Sequence, residues 1–399
     1  MMTTNNDQDI DPQLNYSPKL FIRCHCRKND PFDNSTNIWS ATFIAKITEF
    51  EDNRFVATCG ANMVCIIDCK KSIENNEKSV IARYIDDNVN EDFVSLACTS
   101  VSVKNKEEVM VLAVGGKKHI LLVTNFHGFH CYEKFDSHSD QINSLNFISS
   151  DILFSASYDK TIKMWRISSP ENTKRSHLLT TIDINDNLLS LCYSHKYQLL
   201  LASGFKGLYF WSNSTDLSLL KNCQPKSMVT QLKTKYLIDG LTSIPIYDDI
   251  IAIRIYLSKM ITIIDLKRVT QEINKNDKSG KDMKTITLSK ITKAKLKSFD
   301  GYYPYIYLSA QKDLLVSGGP NGQIWIYKTN RLKEYCEANE LIRADRVIEW
   351  PAIENIIKDN KCIIDDKKPV IINTCVISGD LHYLIGCTQM NLVCIWHKT

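Results

Sequence analysis

The stretch HSDQINSLNFISSDILFSASYDKTIKMWRI, His138–Ile167, decides the fold. It holds three strand-like runs in close succession. Apolar and polar residues alternate in Ile142–Phe147 and in Thr161–Ile167, whereas Ile152–Ser157 is mostly apolar. Short polar segments join the runs, and the one before the third run is Ser157–Lys160. This spacing predicts three neighbouring antiparallel strands joined by tight turns.

Four side chains in this stretch stand where a WD40 repeat, the unit of one propeller blade, places a buried hydrogen-bonded tetrad. They are His138, Ser155, Asp159 and Trp165. Such a network fixes the register of a blade without performing any chemistry. His, Ser and Asp also make up hydrolase triads, but here their spacing is that of the repeat. We therefore predict a structural role for the tetrad.

The two-strand part of this stretch recurs along the chain, which indicates a repeat architecture. Each copy pairs two apolar runs around a short turn, and an additional apolar run before it would be the inner strand. The seven copies are Phe55–Cys69, Val109–Asn125, Ile152–Ile167, Leu199–Asn213, Asp249–Leu266, Asp313–Thr329 and His382–Thr399. Seven blades of four strands close into a ring with short, protected edges. We predict an all-β fold, a WD40-type seven-bladed β-propeller.

The propeller is predicted to occupy residues 18–399, after a polar, disordered head at residues 1–17. We expect the strand-like run Lys19–Cys26 to complete the last blade. At three places the repeat spacing exceeds the roughly 40 to 45 residues of a compact WD40 repeat. We assign the excess to insertions in surface loops, at Thr99–Glu108, Lys267–Phe299 and Asn330–Lys368.

Composition limits the class of protein. The 399 residues are 44% hydrophobic and 24% charged, and the formal net charge of +4 is too small for a general nucleic-acid coat. No apolar run approaches the roughly 18 to 20 residues of a membrane span, and Met1–Ser17 has no signal-peptide pattern. The 14 Cys residues are scattered, often within predicted strands, as in a reducing compartment. We expect a cytoplasmic or nuclear protein without membrane partners.

Motifs of catalysis are missing from the sequence. There is no Gly-rich phosphate loop, no GxSxG elbow, no HExxH and no paired CxxC, so we predict no enzyme, no catalytic residues, no cofactor and no small-molecule substrate. Cys24-His25-Cys26 is the nearest approach to a metal cluster. On a strand His25 would point away from the two thiols, so we predict a structural role and no metal.

The most charged insertion, Lys267–Lys297, has ten Lys and Arg residues against three Asp and Glu. The simplest interpretation is a solvated, flexible loop. The functional alternative is contact with DNA or with an acidic protein surface, and without interleaved aromatics a DNA contact would be to phosphate and sequence-independent. The residues of this predicted basic loop are Lys275, Lys278, Lys281, Lys284, Lys290, Lys293, Lys295 and Lys297.

Several aromatic residues lie at or near predicted inner strands: Trp39, Phe93, Tyr302, Tyr303, Tyr305 and Tyr307. Taken singly, each is most simply a core residue. Together, two or three of them could line the mouth of the central channel and enclose a trimethyl-lysine through cation–π attraction and apolar packing.

The chain resembles the WD-repeat domain of the leucine-rich-repeat and WD-repeat-containing protein family that associates with the origin recognition complex. The similarity runs in order over about 21–399. It rests on Arg23-Cys24-His25, Ile38-Trp39-Ser40-Ala41, Val56–Gly60, Val64–Cys69, Phe154–Lys160, Asp239-Gly240-Leu241, Leu308-Ser309-Ala310, Gly322–Tyr327, Glu349-Trp350-Pro351, Asn373-Thr374 and Ile395-Trp396. A weaker resemblance, at Tyr84-Ile85-Asp86 and Glu91-Asp92-Phe93, is to the Polycomb embryonic ectoderm development protein.

These resemblances imply a nuclear chromatin scaffold whose partners are origin recognition complex subunits and repressive, trimethyl-lysine histone tails. The Polycomb relative implies an aromatic cage with Trp39, Phe93 and Tyr305 as candidates. Val94 and Pro304 stand where the resemblance expects further aromatics. The first family also carries a leucine-rich-repeat domain, for which Met1–Ser17 has no room, so its contacts are not transferred.

Two alternatives stay open from the sequence. One is a Polycomb-type WD40 subunit of a histone methyltransferase complex, which the second resemblance implies. The other is a cytoplasmic WD40 adaptor, because the propeller alone does not determine the compartment.

Overall fold

A computed structural model describes residues 11, 14–30, 33–44, 53–74, 79–103, 108–125, 127–212, 229–275, 284–333, 341–351 and 370–399. Strands dominate these residues, and they assemble into seven separate sheets. None of the helices within this described part is long and apolar enough to cross a bilayer.

The first half of the chain contains the strands β1 to β17. Their bounds are β1 Tyr16–Ile22, β2 Ile38–Phe43, β3 Phe55–Gly60, β4 Met63–Asp68, β5 Val80–Ile85, β6 Ser95–Ser102, β7 Glu108–Gly115, β8 His119–Thr124, β9 His130–Asp136, β10 Ile142–Phe147, β11 Ile152–Ser157, β12 Thr161–Arg166, β13 His177–Asp183, β14 Leu188–Ser194, β15 Leu199–Gly204, β16 Gly207–Ser212 and β17 Val229–Lys233. A short helix, α1, spans Cys69–Glu74 after β4.

The second half contains the remaining strands and two helices. They are β18 Ile238–Ile244, β19 Tyr247–Ile255, β20 Met260–Asp265, α2 Leu266–Lys275, β21 Lys284–Ile286, α3 Leu288–Ile291, β22 Thr292–Lys297, β23 Leu308–Gln311, β24 Leu314–Gly318, β25 Ile324–Lys328, β26 Leu341–Ile342, β27 Arg346–Ile348, β28 Ile372–Ile377, β29 Tyr383–Thr388 and β30 Val393–Lys398.

Each sheet is one blade, and its strands follow one another as an antiparallel meander from the inside of the ring outward. Blades 1, 2 and 3 are β2–β5, β6–β9 and β10–β13. Blade 4 is β14–β17 with β21 added in parallel, and blade 5 is β18, β19, β20 and β22 with β26 added in parallel. Blade 6 is β23, β24, β25 and β27, and blade 7 is β28, β29, β30 and β1.

The core lies between neighbouring blades rather than at the centre of the ring. The middle strands are covered on both faces, so β3, β4, β11 and β29 are buried at every position. Their sequences are therefore nearly continuous apolar runs instead of alternating ones. Between blades 2 and 3, for example, Val111 and Leu122 pack against Leu145, Leu153 and Trp165. This burial is the main stabilising contribution to the fold.

β1 closes the ring by pairing with β30, as the sequence predicts. Phe21 lies opposite Cys394, and its ring packs edge-on against Trp350 and Trp396 at centroid distances of 5.2 and 5.7 Å. The strand begins at Tyr16, so it includes the last two residues of the predicted head, most of which lies outside the described residues.

The sequence prediction of a seven-bladed propeller is confirmed, and in blade 3 the predicted strands agree with β10, β11 and β12 to within one residue. The prediction that the three insertions are loops is wrong for much of their described part. Within Thr99–Glu108, β6 continues to Ser102 and pairs there with Glu108 of β7. Residues 104–107, between these two strands, lie outside the described residues.

The other two insertions contain the outer strands of their blades. Lys267–Phe299 includes α2, β21, α3 and β22, and Asn330–Lys368 includes β26 and β27. These strands are short or rich in Lys and Arg because one of their faces meets solvent, so they lack the apolar signal of an inner strand. Residues 276–283, 334–340 and 352–369 of these insertions lie outside the described residues.

Replacing Phe21 by Ala tests the closure of the ring. Phe21 is half-buried against two tryptophans, so we expect the variant Phe21→Ala to lose about 2 to 3 kcal/mol of unfolding free energy, below the roughly 3 to 5 kcal/mol of a fully buried Phe. Urea unfolding measures the loss. The control is Lys19→Ala on the exposed part of the same strand. Equal stability of the two variants would contradict closure through β1.

Candidate functional site

The upper face of the propeller is the end at which the inner strands begin, and the loops before those strands insert polar side chains into the blades. In blade 3 the structure brings the predicted tetrad together. His138 Nδ1 lies 2.8 Å from Asp159 Oδ2, and His138 Nε2 lies 2.7 Å from Ser155 Oγ. The Trp165 indole donates to Ser155 Oγ at 2.9 Å, and Thr161 donates to Asp159 at 2.7 Å.

Every polar group of this tetrad has a partner within the blade. The Trp165 N–H donates to Ser155, the Ser155 hydroxyl donates to His138, and the opposite ring N–H donates to the carboxylate, so one tautomer satisfies the whole chain. The His138 side chain is 0% exposed and Asp159 is 6% exposed. A substrate has no access to these groups, in contrast to a hydrolase triad.

Burial also sets the ionisation of the pair. It lowers the pKa of His138 from 6.5 to about 4, against the opposing attraction of Asp159. Burial raises the pKa of Asp159, but hydrogen bonds from Thr161 and His138 outweigh it and hold that pKa below its ordinary value. At neutral pH the pair is therefore a neutral imidazole beside a carboxylate.

Other blades carry equivalent polar side chains. The sequence predicts a structural role for His25, whereas it does not identify Glu91 or Asp186. In blade 1, His25 Nε2 lies 2.9 Å from Thr58 Oγ1, as His138 lies beside Ser155 in blade 3. In blade 2 the buried Glu91 carboxylate accepts the backbone N–H of Lys117 at 2.7 Å. In blade 4 Asp186 accepts the backbone N–H of Lys206 at 2.8 Å and the Tyr209 hydroxyl at 3.0 Å.

The sequence does carry a signal for the two carboxylates, in the glycines beside them. A Cβ at Gly116 would lie 2.4 Å from the Glu91 carboxylate, and a Cβ at Gly204 would lie 2.5 Å from Asp186. Only glycine leaves room for the carboxylate at the end of the second strand. An acidic residue shortly before an inner strand, paired with Gly in the following hairpin, is a pattern that could have located both.

The expected orientation at Cys24-His25-Cys26 is wrong, because β1 ends at Ile22 and the alternation of a strand does not apply beyond it. Cys24, His25 and Cys65 are buried with their ligand atoms within 4.8 Å of one another. Both ring nitrogens of His25 are already hydrogen-bonded, to Thr58 Oγ1 and to the Gly60 carbonyl. The Cys65 thiol donates to the Cys24 carbonyl at 3.4 Å. The hydrogen bonds account for this cluster without an ion.

Blade 5 replaces the tetrad with a buried ion pair. Arg254, on β19, donates to Asp239 on β18, and their side chains are 1% and 0% exposed. Arg254 also donates to the Tyr303 carbonyl at 2.7 Å, and its guanidinium lies 5.0 Å from the centre of the Phe299 ring. Asp239 accepts the Tyr305 backbone N–H at 2.9 Å. The pair thus fixes the loop before β23, where Tyr305 has φ +62°.

The inner strands enclose a central channel segment of about 170 Å³. Polar side chains of these strands also join neighbouring blades. Ser95 donates to the Ile142 carbonyl at 2.9 Å, and Asn143 donates to the Leu188 carbonyl at 2.7 Å. The residues that line the channel include Trp39, Ser95, Asn143, Ser190, Tyr307 and Thr374.

Aromatic side chains meet at the upper mouth of this channel, and we call Trp39, Tyr158, Phe205 and Tyr305 the mouth aromatic group. The Trp39 and Tyr305 rings are edge-to-face at a centroid distance of 6.4 Å, and Tyr158 meets Phe205 edge-to-face at 6.0 Å. Burial raises the pKa of the Tyr158 hydroxyl, and a hydrogen bond with Tyr305 raises it further. Four different blades thus contribute to the group.

Phe93 requires a correction. The structure brings Trp39 and Tyr305 together, but Phe93 is 0% exposed and packs between blades 1 and 2 among Val64, Met110 and Leu112. A buried Phe cannot form the wall of an open cage. Tyr158 and Phe205 lie in the turns between the second and third strands of blades 3 and 4. The sequence pattern pointed only to aromatic residues near inner strands, so it did not indicate these two.

The predicted basic loop is a folded element over most of its described part. Lys275 ends α2, Lys284 begins β21 and Lys290 lies in α3. Lys278 and Lys281 lie outside the described residues. The remaining residues, Lys293, Lys295 and Lys297, belong to β22.

A family match covers nearly the whole chain. Over residues 9–399 the sequence matches the family described as the WD domain of leucine-rich repeat and WD repeat-containing protein 1. The chain belongs to this family.

Curated relatives of that name resemble the chain along nearly its full length. The Xenopus laevis protein is 26% identical over 408 residues, which are 96% of this chain and 53% of the relative. The human protein is 25% identical over 407 residues, which are 97% of this chain and 58% of the relative. The chain thus spans less than two thirds of the length of either protein.

Solved structures of polycomb repressive complex 2 contain chains with the same fold. One is the crystal structure of an active complex in the basal state, with a TM-score of 0.72, 12% identity and coverage of 97% of this chain and 98% of that one. Another is a complex with H3K27me3 and H3K27M, with a TM-score of 0.71, 11% identity and coverage of 97% and 98%. Identities this low show the fold alone. Fold and family together support a non-catalytic WD40 scaffold or adaptor.

The tetrad predicts a pH dependence of stability. Because folding lowers the pKa of His138 from 6.5 to about 4, the unfolded chain binds more protons between these values, and stability rises with pH across this window. We expect His138 to account for roughly 3 kcal/mol of stability that is lost as the pH falls from 6.5 to 4. Urea unfolding of wild type and His138→Gln across this range measures it. Parallel pH curves for the two proteins would refute the assignment.

The buried pair of blade 5 predicts an asymmetry between single and double substitutions. Arg254→Met leaves the Asp239 carboxylate buried without its counter-charge, which costs about 3 to 5 kcal/mol of unfolding free energy. The double variant Arg254→Met, Asp239→Leu removes both charges and should recover most of that loss. Chemical denaturation of both proteins provides the test. A double variant less stable than the single one would show that the charges do not act as a pair.

Proposed function

We propose that this protein is a nuclear chromatin scaffold that binds origin recognition complex subunits and repressive, trimethyl-lysine histone tails. The observation that carries the histone part is the mouth aromatic group, where Trp39 and Tyr305 meet edge-to-face at the open end of the channel. Trimethyl-lysine is a cation with an apolar surface, and aromatic faces attract it through the ring quadrupole. This role would support replication initiation and heterochromatin organisation.

The proposed cage has a different third wall from the one that the sequence implies. Val94 and Pro304 stand where the resemblance expects aromatics, and Phe93 is buried. Tyr158 is hydrogen-bonded to Tyr305, and its ring meets that of Phe205, which is 39% exposed, so these two residues are our candidates for the further wall. Asp239 holds the Tyr305 backbone N–H and Arg254 holds the Tyr303 carbonyl, so the ion pair fixes the loop that carries Tyr305.

The origin recognition complex is proposed as a partner because the chain belongs to this family and the resemblance to the family implies that partner. The chain matches the WD domain of the family over 391 of its residues, from 9 to 399, and the similarity to the Xenopus laevis relative covers 96% of this chain and 53% of that protein. A propeller presents many loops on a rigid ring, which suits a platform for several protein partners.

A second candidate is a Polycomb-type subunit of a histone methyltransferase complex. It is favoured by the structural similarity to chains of polycomb repressive complex 2, one of them in a complex with H3K27me3. Affinity purification of the tagged chain from nuclei, followed by mass spectrometry, separates the two candidates. Origin recognition subunits support the first, and methyltransferase subunits in their place overturn it. A tagged chain excluded from nuclei would favour the cytoplasmic adaptor.

Substitution of the cage walls tests the histone proposal. We expect Trp39→Ala and Tyr305→Ala each to weaken binding of an H3K27me3 peptide about 5- to 30-fold, since each removes one cation–π contact of roughly 1 to 2 kcal/mol. Fluorescence anisotropy measures the affinity. The control is Tyr302→Ala, whose side chain is 71% exposed and lies outside the group. The unmodified peptide should bind weakly to all three variants. No binding by wild type, or unchanged binding by Trp39→Ala, would remove the cage.

A further inference from the structure

The outer strand of blade 5 presents its lysines on one face. In β22 the side chains of Ala294 and Leu296 are 4% and 1% exposed and pack in the core that blade 5 shares with blade 6. Lys295 and Lys297 alternate with them and are exposed, and Lys293 is half-buried on the same side. We call Lys293, Lys295 and Lys297 the lysine ladder.

Three other cations of this region are paired with acidic side chains. Lys275 and Lys290 share the Glu272 carboxylate, at 2.9 and 3.4 Å. Arg268 pairs with Asp265 and also donates to the Thr292 carbonyl. No ion pair involves a lysine of the ladder among the residues that the structure describes.

The backbone beneath the ladder is held firmly. β22 pairs with β20 on one side, where Lys297 lies opposite Met260 and Lys295 opposite Thr262, and with β26 on the other. The Tyr327 hydroxyl donates to the Lys297 carbonyl at 2.7 Å. A ligand would therefore restrict only the lysine side chains and would not have to order a loop, which keeps the entropic cost of binding small.

The arrangement of charges suits a regular polyanion. Lys295 and Lys297 are two residues apart on a strand, which spaces them by about 6.8 Å, and a β-bulge at Lys293 continues the row. A row of closely spaced positive charges is complementary to the row of negative charges along a DNA strand. Lys binds phosphate as a point charge, and β22 has no aromatic side chain on which a base could stack, so a nucleic-acid contact here would be to backbone phosphates.

We propose that the lysine ladder binds the phosphate backbone of duplex DNA, without sequence preference. The contact is separate from the mouth aromatic group, and it does not depend on histone binding. The sequence left open a phosphate contact by the whole basic loop, and the proposed contact involves only three residues of that loop, all on one strand. Lys275 and Lys290, which already share Glu272, contribute little.

Salt dependence tests the proposal directly. Each neutralised phosphate contributes about 0.9 to the slope of log affinity against log salt concentration, so Lys293→Ala, Lys295→Ala and Lys297→Ala together should lower that slope by about 2.7. Between about 50 and 200 mM salt, wild type should then lose about 40-fold more affinity than the triple variant. The full chain is titrated into a short fluorescein-labelled duplex of mixed sequence, and anisotropy reports binding.

A matched variant removes the same charge elsewhere. Lys71, Lys174 and Lys196 are exposed residues of blades 1, 3 and 4, and their triple alanine variant should retain the wild-type slope. Thermal unfolding of both variants checks that the fold is intact, and a small loss is expected only at Lys293, which is half-buried. An equal slope for wild type and the ladder variant, or an equal loss in the matched variant, overturns the proposal.

Two further probes distinguish the ligand. A single strand of the same sequence that binds more tightly than the duplex would overturn the duplex assignment. Polyglutamate that competes as well as DNA at equal charge would show an acidic protein surface as the partner instead. Weak competition by polyglutamate, with the predicted slope for the duplex, supports the ladder as a DNA contact.

Discussion

The structure depends on buried polar side chains that reach from the loop before an inner strand to the next hairpin of the same blade. Apolar packing is not directional, and a shifted pairing would still form backbone hydrogen bonds. The buried polar side chains add a directional constraint on the register between an inner strand and its neighbours. His138, Glu91 and Asp186 each satisfy a hydrogen-bonding group at the end of a second strand. An unpaired group at such a depth would cost about 1 to 3 kcal/mol.

The same mechanical task is performed with different chemistry in different blades. Blade 3 uses a neutral imidazole, His138, that is hydrogen-bonded to the Ser155 hydroxyl and to the Asp159 carboxylate. In blades 2 and 4 a carboxylate accepts a backbone N–H, and blade 5 uses the Arg254–Asp239 ion pair. Only the first of these has a side-chain signature that a search for repeats can recognise. A carboxylate that binds a backbone amide leaves a trace only in the glycine beside it, as at Gly116 and Gly204.

Much of the fold could be predicted because the middle strands are buried on both faces. Their apolar runs and turns repeat regularly enough to count seven blades, and β1 completes the ring. The outer strands could not be predicted, since β22 and β27 face solvent and have no inner-strand signal. The sequence also does not show which way side chains point outside regular strands. The core position of Phe93 and the grouping of Cys24 with His25 are therefore seen only in the structure.

For the candidate site, sequence could supply Trp39 and Tyr305 but not Tyr158 or Phe205, because propeller closure brings distant turns together at the channel mouth. These aromatics sit on the frame that the buried polar side chains hold in register. Hydrogen exchange at the turn amides of Lys117 and Lys206 tests that frame most directly. Both amides should exchange as slowly as those of the adjoining strands, since each donates a hydrogen bond to a buried carboxylate. Exchange at the rate of an open loop would contradict it.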